Sequence, residues 1–223
     1  MQYFTFLGVG TLPEGYEEAL YSFEDNKEEI HASKYVQSAI IEKFQSDISE
    51  VFVFCTEKSY SLGARNIKNE IKTKFNIDIK FITINEFVKI EEILQKMDEV
   101  LKEDFIIDVT HSFRNIPISV TMISNYLEVS TKKQLKHLFY GNYNRETNEG
   151  LIIDLINQYE NSKIASSLMA FDQFLKISDT YLYNLNDNKI NNLMKGIYQF
   201  NHMLDYCEFD SCVHSISQIY NFC

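Results

Sequence analysis

A chain of 223 residues with 45% hydrophobic and 14% aromatic content is long enough to bury a substantial core and leaves room for one domain plus an appendage. Its net charge of -11 argues against a broad nucleic-acid surface, which needs a basic face to displace counterions from phosphates. No run approaches the roughly 18 to 20 apolar residues of a membrane span, and Met1-Gln2-Tyr3-Phe4-Thr5-Phe6 lacks the basic flank of a signal peptide, so a cytoplasmic protein is expected.

Strand-like and helix-like periods alternate from the first residue. Tyr3 to Val9 is an apolar β-rich run ending in Gly8-Val9-Gly10, and Ala19 to Phe23 reads as a short extra strand. Asp25, Glu28 and Glu29 read as a solvated face near the first helix, whose spacing appears at Val36, Ala39 or Ile40, and Phe44. The strand Val51 to Cys55 follows. Ala64, Ile67, Ile71 and Phe75 then mark a helix face, and Ile77 to Ile84 alternates as a strand. Phe87, Ile90, Leu94, Met97 and Leu101 predict a helix, Phe105 to Val109 a short buried strand, and Ile116 to Val129 a helix that is apolar on most sides. Leu135 to Tyr140 and Leu151 to Leu155 predict two strands around a polar loop from Asn142 to Gly150.

From about Tyr159 only helical spacing remains, at Ile164, Leu168, Phe171 and Leu175, then at Ile190, Leu193, Ile197, Phe200 and Leu204. The Asn-rich stretch Asn184 to Asn192 is the expected connector. A last amphipathic run, Val213, Ile216 and Tyr220, meets Cys223 without a capping signal, which leads us to expect a longer natural chain. The expected fold is α/β, a Rossmann-like, mainly parallel sheet with helices on both faces over residues 1–157, followed by an all-helical segment over 158–223.

Cys55, Cys207, Cys212 and Cys223 are scattered, so reduced thiols are expected rather than a disulfide scaffold. His202, Cys207, Cys212 and His214 do not have zinc-site spacing, and no metal is expected.

In a parallel sheet, the turns leaving the carboxyl ends of strands face one crevice, where helix N-termini offer unpaired amides to anions. Three turns are candidates. The first, Gly8-Val9-Gly10-Thr11-Leu12, has Pro13 where a dinucleotide fingerprint has its third glycine, so its glycines serve backbone approach to a ligand or a plain tight turn. The second, Thr56-Glu57-Lys58-Ser59, offers two hydroxyls and a cation; Thr56 and Ser59 are equally ordinary caps, and Lys58 is equally a solvated side chain. The third, Thr110-His111-Ser112-Phe113-Arg114-Asn115, crowds polar groups between a buried strand ending at Asp108 and an apolar helix. Such crowding carries a desolvation cost that a ligand offsets, or that a local capping network around Asp108 and Thr110 offsets instead.

The run Asp108-Val109-Thr110-His111-Ser112-Phe113-Arg114-Asn115-Ile116-Pro117 resembles the THGFR-like stretch of a subgroup of CRISPR-associated Rossmann-fold (CARF) proteins. The resemblance extends to Leu7-Gly8-Val9-Gly10-Thr11, Phe54-Cys55-Thr56, Phe139-Tyr140-Gly141-Asn142-Tyr143 and Asp154-Leu155, with Ser112 standing where the subgroup usually has glycine. It implies a homodimeric sensor of type III CRISPR antiviral signalling that binds a cyclic oligoadenylate, tetra- or hexa-adenylate, across a two-fold axis and controls an effector allosterically. It also implies ligand contacts from Gly8, Gly10, Thr11, Thr56, Lys58, Ser59, Thr110, His111, Ser112, Phe113, Arg114 and Asn115, with no cofactor and no metal. Residues 158–223 would then serve as linker or dimerisation region. One alternative is a ring nuclease that cleaves the messenger without metal, with His111 transferring the proton and Lys58 or Arg114 steadying phosphate charge. Another is a HEPN-type ribonuclease whose catalytic domain lies beyond residue 223, because no histidine follows Arg65, Arg114 or Arg145 at the HEPN spacing. A Rossmann-like regulator of another nucleotide or of a protein partner is the third.

Overall fold

The computed structural model describes residues 1–9, 16–86, 88–112, 116–174 and 188–205. Eight strands form one sheet: β1 (Gln2–Leu7), β2 (Ala19–Phe23), β3 (Asn26–Ser33), β4 (Glu50–Cys55), β5 (Ile79–Thr83), β6 (Phe105–Asp108), β7 (Leu135–Asn144) and β8 (Glu149–Asp154). The helices are α1 (Val36–Phe44), α2 (Glu57–Phe75), α3 (Ile90–Asp98), α4 (Ile116–Thr131), α5 (Ile156–Phe174) and α6 (Asn188–Asp205). Compact units comprise Met1–Tyr159 and Glu160–Cys223.

Strand order is β3-β2-β8-β7-β6-β1-β4-β5. β1 pairs in parallel with both β4 and β6, β4 with β5, and β6 with β7, while β7 and β8 are antiparallel. β2 runs parallel to β8 and antiparallel to β3. The five strands joined through helices therefore lie as β5-β4-β1-β6-β7, the 3-2-1-4-5 order of a Rossmann-like half, with the reversal of winding between β1 and β6.

Why β1 and β4 read as unbroken apolar runs is plain from their two faces. Tyr3, Leu7, Val51 and Val53 pack with Val36, Ala39 and Ile40 of α1 and Ile67 and Ile71 of α2. Phe4, Phe6, Phe52 and Phe54 pack with Ile93 and Met97 of α3 and Val120, Ile123 and Leu127 of α4. A strand buried on both sides has no polar face to alternate with. Phe4 lies opposite Phe52 and Phe6 opposite Phe54 in register, with ring centroids 5.1 and 5.2 Å apart. Such cross-strand aromatic pairs fix the register that sets every later turn.

The acidic stretch is the solvated face expected near the first helix, carried in part by a strand: Glu28 and Glu29 lie exposed on β3, an edge strand whose first five residues face solvent, and Asp25 pairs with Lys43 of α1 at 2.7 Å. Two expectations need correction. The polar loop before Gly150 is mostly strand, because β7 runs on to Asn144 and β8 begins at Glu149. The Asn-rich connector is helical from Asn188 onward, while 184–187 and the run from Val213 to Cys223 lie outside the described residues. α4 is indeed apolar on most sides: Val120, Ile123 and Leu127 are buried, while Met122, Tyr126 and Val129 are exposed. Among the described residues no helix is long and apolar enough to cross a membrane.

Candidate functional site

The carboxyl ends of β1, β6 and β7 meet at one rim, and beneath it lies a continuous chain of hydrogen bonds. Asp108, the last residue of β6, is fully buried. Its Oδ2 accepts from Thr5 Oγ1 at 2.7 Å and from Tyr3 Oη at 3.3 Å. Its Oδ1 accepts from the Thr110 amide at 2.9 Å and from Thr110 Oγ1. Donors converging in this way offset the cost of burying a carboxylate that has no basic partner among these contacts. Burial and the neighbouring carboxylate of Asp108 hold the Tyr3 phenol well above its ordinary pKa, so it stays a donor.

The network continues on both sides. Gln37 of α1, wholly buried, donates to Thr5 Oγ1 at 3.2 Å and to the Phe6 carbonyl at 2.9 Å, and the Gly141 amide of β7 donates to Thr110 Oγ1 at 2.7 Å. Thr110 thus ties the β6 turn to β7. Ser112 closes the turn by donating Oγ to the Val109 carbonyl at 2.7 Å.

Above this network opens a cleft of about 480 Å³, lined by Gly8, Val9, Tyr16, Glu17, Tyr21, Lys34, Thr110, His111, Gly141, Tyr143 and Arg145. Its size and its mixture of aromatic and polar walls suit a small organic anion. Two glycines, Gly8 and Gly141, belong to its lining, and a third, Gly150, lies against Tyr21. A Cβ on Gly8 would lie 3.2 Å from Tyr16 Oη, one on Gly141 3.0 Å from the Thr110 methyl, and one on Gly150 only 2.3 Å from the Tyr21 ring. Each absent side chain lets a cleft-lining residue lie down. Tyr16 stands between His111 and Tyr35, with ring centroids 5.1 and 5.3 Å away. Burial, with the neighbouring Tyr35, pushes its phenol up to about 12, and burial, with Tyr143 next, does the same for Tyr21.

His111 is half-buried against Tyr16, and burial lowers its pKa despite the opposing pull of Asp108. A depressed histidine pKa has a definite stability signature. Above the unfolded value of about 6.5 the imidazole is neutral in both states; as pH falls through that value the unfolded chain takes up the proton first and stability is lost. Denaturation between pH 7.5 and pH 5 is expected to show the wild type losing more stability than His111→Gln. Parallel curves for the two proteins would refute the assignment.

The second turn behaves differently. Thr56 and Ser59 form a reciprocal capping box at the start of α2, with the Ser59 amide donating to Thr56 Oγ1 at 3.1 Å and the Thr56 amide to Ser59 Oγ at 2.9 Å. Both still touch a small pocket of about 80 Å³ shared with Gly8 and His111. Lys58 faces a separate open hollow of about 510 Å³, with Thr83, Asn85 and Glu86. The fold therefore brings Gly8, Thr110 and His111 into one cleft and gives Lys58 another neighbourhood.

Gly10, Thr11, Phe113, Arg114 and Asn115 lie outside the described residues, as do Cys207, Cys212, His214 and Cys223. Among the described residues no group of histidine, cysteine and acidic side chains is arranged to hold a metal. Cys55 is a buried free thiol whose pKa burial raises to about 11, which makes it inert at neutral pH.

Sequence reading missed Tyr16, Tyr21, Lys34, Tyr143 and Arg145. The signal was faint: Lys34 directly precedes a predicted helix, and Arg145 sits in the loop between two predicted strands, both at places where turns meet a sheet edge. No protein-family model matches this chain, and no curated protein matches it either. What stands is an α/β domain with a mixed, mostly parallel eight-stranded sheet of Rossmann-like order and a cleft at its reversal point.

Proposed function

We propose that the cleft binds a cyclic oligoadenylate and that the protein is a sensor of CARF type, acting as a homodimer in type III CRISPR antiviral signalling. The observation that carries this reading is the convergence of Gly8, Thr110 and His111 in a tyrosine-walled cleft at the reversal point of the sheet. In open α/β sheets, that crevice is where nucleotides are received. Tyrosine suits adenine and the His111 imidazole suits phosphate, while the Thr110 amide and hydroxyl, both given to Asp108, fix the turn that presents His111. A ring of repeated nucleotides presents equivalent halves, so two copies of one cleft related by a two-fold axis serve it.

Calorimetric titration with cyclic tetra- and hexa-adenylate tests the reading. One ring per two chains is expected. His111→Ala is expected to weaken binding at least about tenfold, or roughly 1.4 kcal/mol. Absence of heat with either ring would overturn it, and sedimentation showing a monomer with saturating ring would overturn the two-fold arrangement.

A ring nuclease is the second reading, favoured by the neutral state that burial imposes on His111. In that chemistry the imidazole takes the proton of a ribose 2′-hydroxyl as its oxygen attacks the adjacent phosphorus. The bond from phosphorus to the 5′-oxygen breaks, that oxygen leaves with a proton from solvent, and a 2′,3′-cyclic phosphate remains. Chromatography of the ring after incubation separates the two: linear products that disappear in His111→Ala support cleavage, and an intact ring refutes it.

A further inference from the structure

We propose that Lys34 and Arg145 form a second anion subsite at the outer rim of the cleft, so that the cleft takes a ligand with at least two phosphates joined through a nucleoside. The inference rests on the nucleotide reading above and names which features of the nucleotide are read.

The two cations reach the cleft from different elements. Lys34 lies between β3 and α1, Arg145 in the turn between β7 and β8, and both line the cleft that also holds Thr110 and His111. The chain bearing Lys34 has returned across the sheet edge to reach it: two residues on, the Val36 side chain lies so close over β7 that a Cβ on Gly141 would sit 3.1 Å from it. Arg145 is carried by a braced turn. The Glu146 amide donates to Asn144 Oδ1 at 2.9 Å, Tyr143 Oη donates to Asn148 Oδ1 at 2.8 Å, and Asn148 Nδ2 donates to the Glu18 carbonyl at 2.7 Å. The left-handed backbone of Asn148, at φ 57°, lets the turn close in this way.

Charge pairing elsewhere sharpens the point. With 32 acidic residues against 21 basic ones, lysines of this domain readily find carboxylates, as Lys43 does with Asp25 and Lys72 with Asp78. Among the described residues neither Lys34 nor Arg145 makes an ion pair, although Glu17 also lines the cleft. Among the described lining residues two uncommitted cations stand against one carboxylate, Glu17, in a chain whose overall charge is strongly negative. Cations held in a concave site focus the local potential regardless of net charge. Tyr21 and Tyr143 line the same cleft, and Tyr143, exposed there, supplies an aromatic ring for a planar base. A phosphate beside His111, a base beside Tyr143 and a second phosphate at Lys34 and Arg145 span the cleft. A mononucleotide uses only part of it.

The test compares AMP, the linear dinucleotide pApA and cyclic tetra- and hexa-adenylate on wild type, Lys34→Gln, Arg145→Gln and the double variant, with thermal unfolding to verify folding. Wild type is expected to bind pApA at least about tenfold more tightly than AMP. The double variant is expected to lose most of that gap, with pApA weakened about tenfold more than AMP, and the slope of log affinity against log salt for pApA is expected to fall by roughly 0.7 for each phosphate contact removed. Equal weakening of AMP and pApA, or no change in either, overturns the subsite, as does failure of wild type to bind pApA. The subsite and the cyclic-messenger reading fail separately. A pApA gap that depends on Lys34 and Arg145, with no binding of either ring, upholds the subsite and refutes the messenger. Ring binding indifferent to both substitutions does the reverse.

Discussion

Replacing Asp108 by alanine is expected to cost on the order of 3 kcal/mol of folding stability, the largest effect of any single polar substitution near the cleft. The carboxylate is fully buried and receives Tyr3, Thr5 and both the amide and the hydroxyl of Thr110. Truncation leaves these donors facing one another in a space from which water has been excluded, and unmade buried hydrogen bonds are far more expensive than the net value of made ones. Thr110→Val removes one link, leaving the Gly141 amide without the acceptor it now has at 2.7 Å, and about 1 to 2 kcal/mol is expected. Urea denaturation measures both. An Asp108→Ala variant within about 0.5 kcal/mol of wild type, an ordinary surface value, would show that the network is not what organises the rim.

Gly150→Ala is expected to have the second effect, at the far side of the cleft. Its Cβ would arrive 2.3 and 2.5 Å from two carbons of the Tyr21 ring, so the ring must move, and Tyr21 is itself buried. Overpacking of this kind costs roughly 1 to 3 kcal/mol. Because Tyr21 lines the cleft, affinity for its occupant is expected to fall with stability. Combining Gly150→Ala with Tyr21→Ala is expected to recover part of the stability lost by the glycine change, giving a coupling of about 0.5 kcal/mol or more in the double-mutant cycle. Additive losses would mean that the two residues do not compete for the same space.

Most of the architecture could be read from residues because its causes are local. β1 and β4 announce themselves as unbroken apolar runs, and the crowded polar turn after Asp108 marks a strand end that has something to hold. β3 could not be read: Asn26 to Ile30 are all exposed on an edge strand, so neither alternation nor an apolar run appears. Gln37 was hidden among the apolar positions of α1, and only the fold shows it donating across to β1. The outer half of the cleft was illegible for a related reason. Tyr21, Lys34 and Arg145 are far apart in the chain and share a rim only because β2 pairs with β8 and β8 with β7. Periodicity reports which face of an element is buried; it does not report which distant element will stand beside it.

The ribbon of β7 and β8 reaches beyond the cleft. β7 carries Gly141 and Tyr143 at the cleft and, a few residues earlier, His137 and Leu138. There Asp154 accepts from the Leu138 amide at 3.2 Å and from the Ile156 amide at 3.0 Å, and lies 2.6 Å from His137 Nδ1. Ile156 is the first residue of α5. One strand thus carries a ligand wall and, three to six residues away, or roughly 10–20 Å at its usual rise, the contacts to the carboxylate that holds the first turn of α5. The ribbon thus connects the cleft wall at Tyr143 to the first turn of α5 through one strand and one carboxylate.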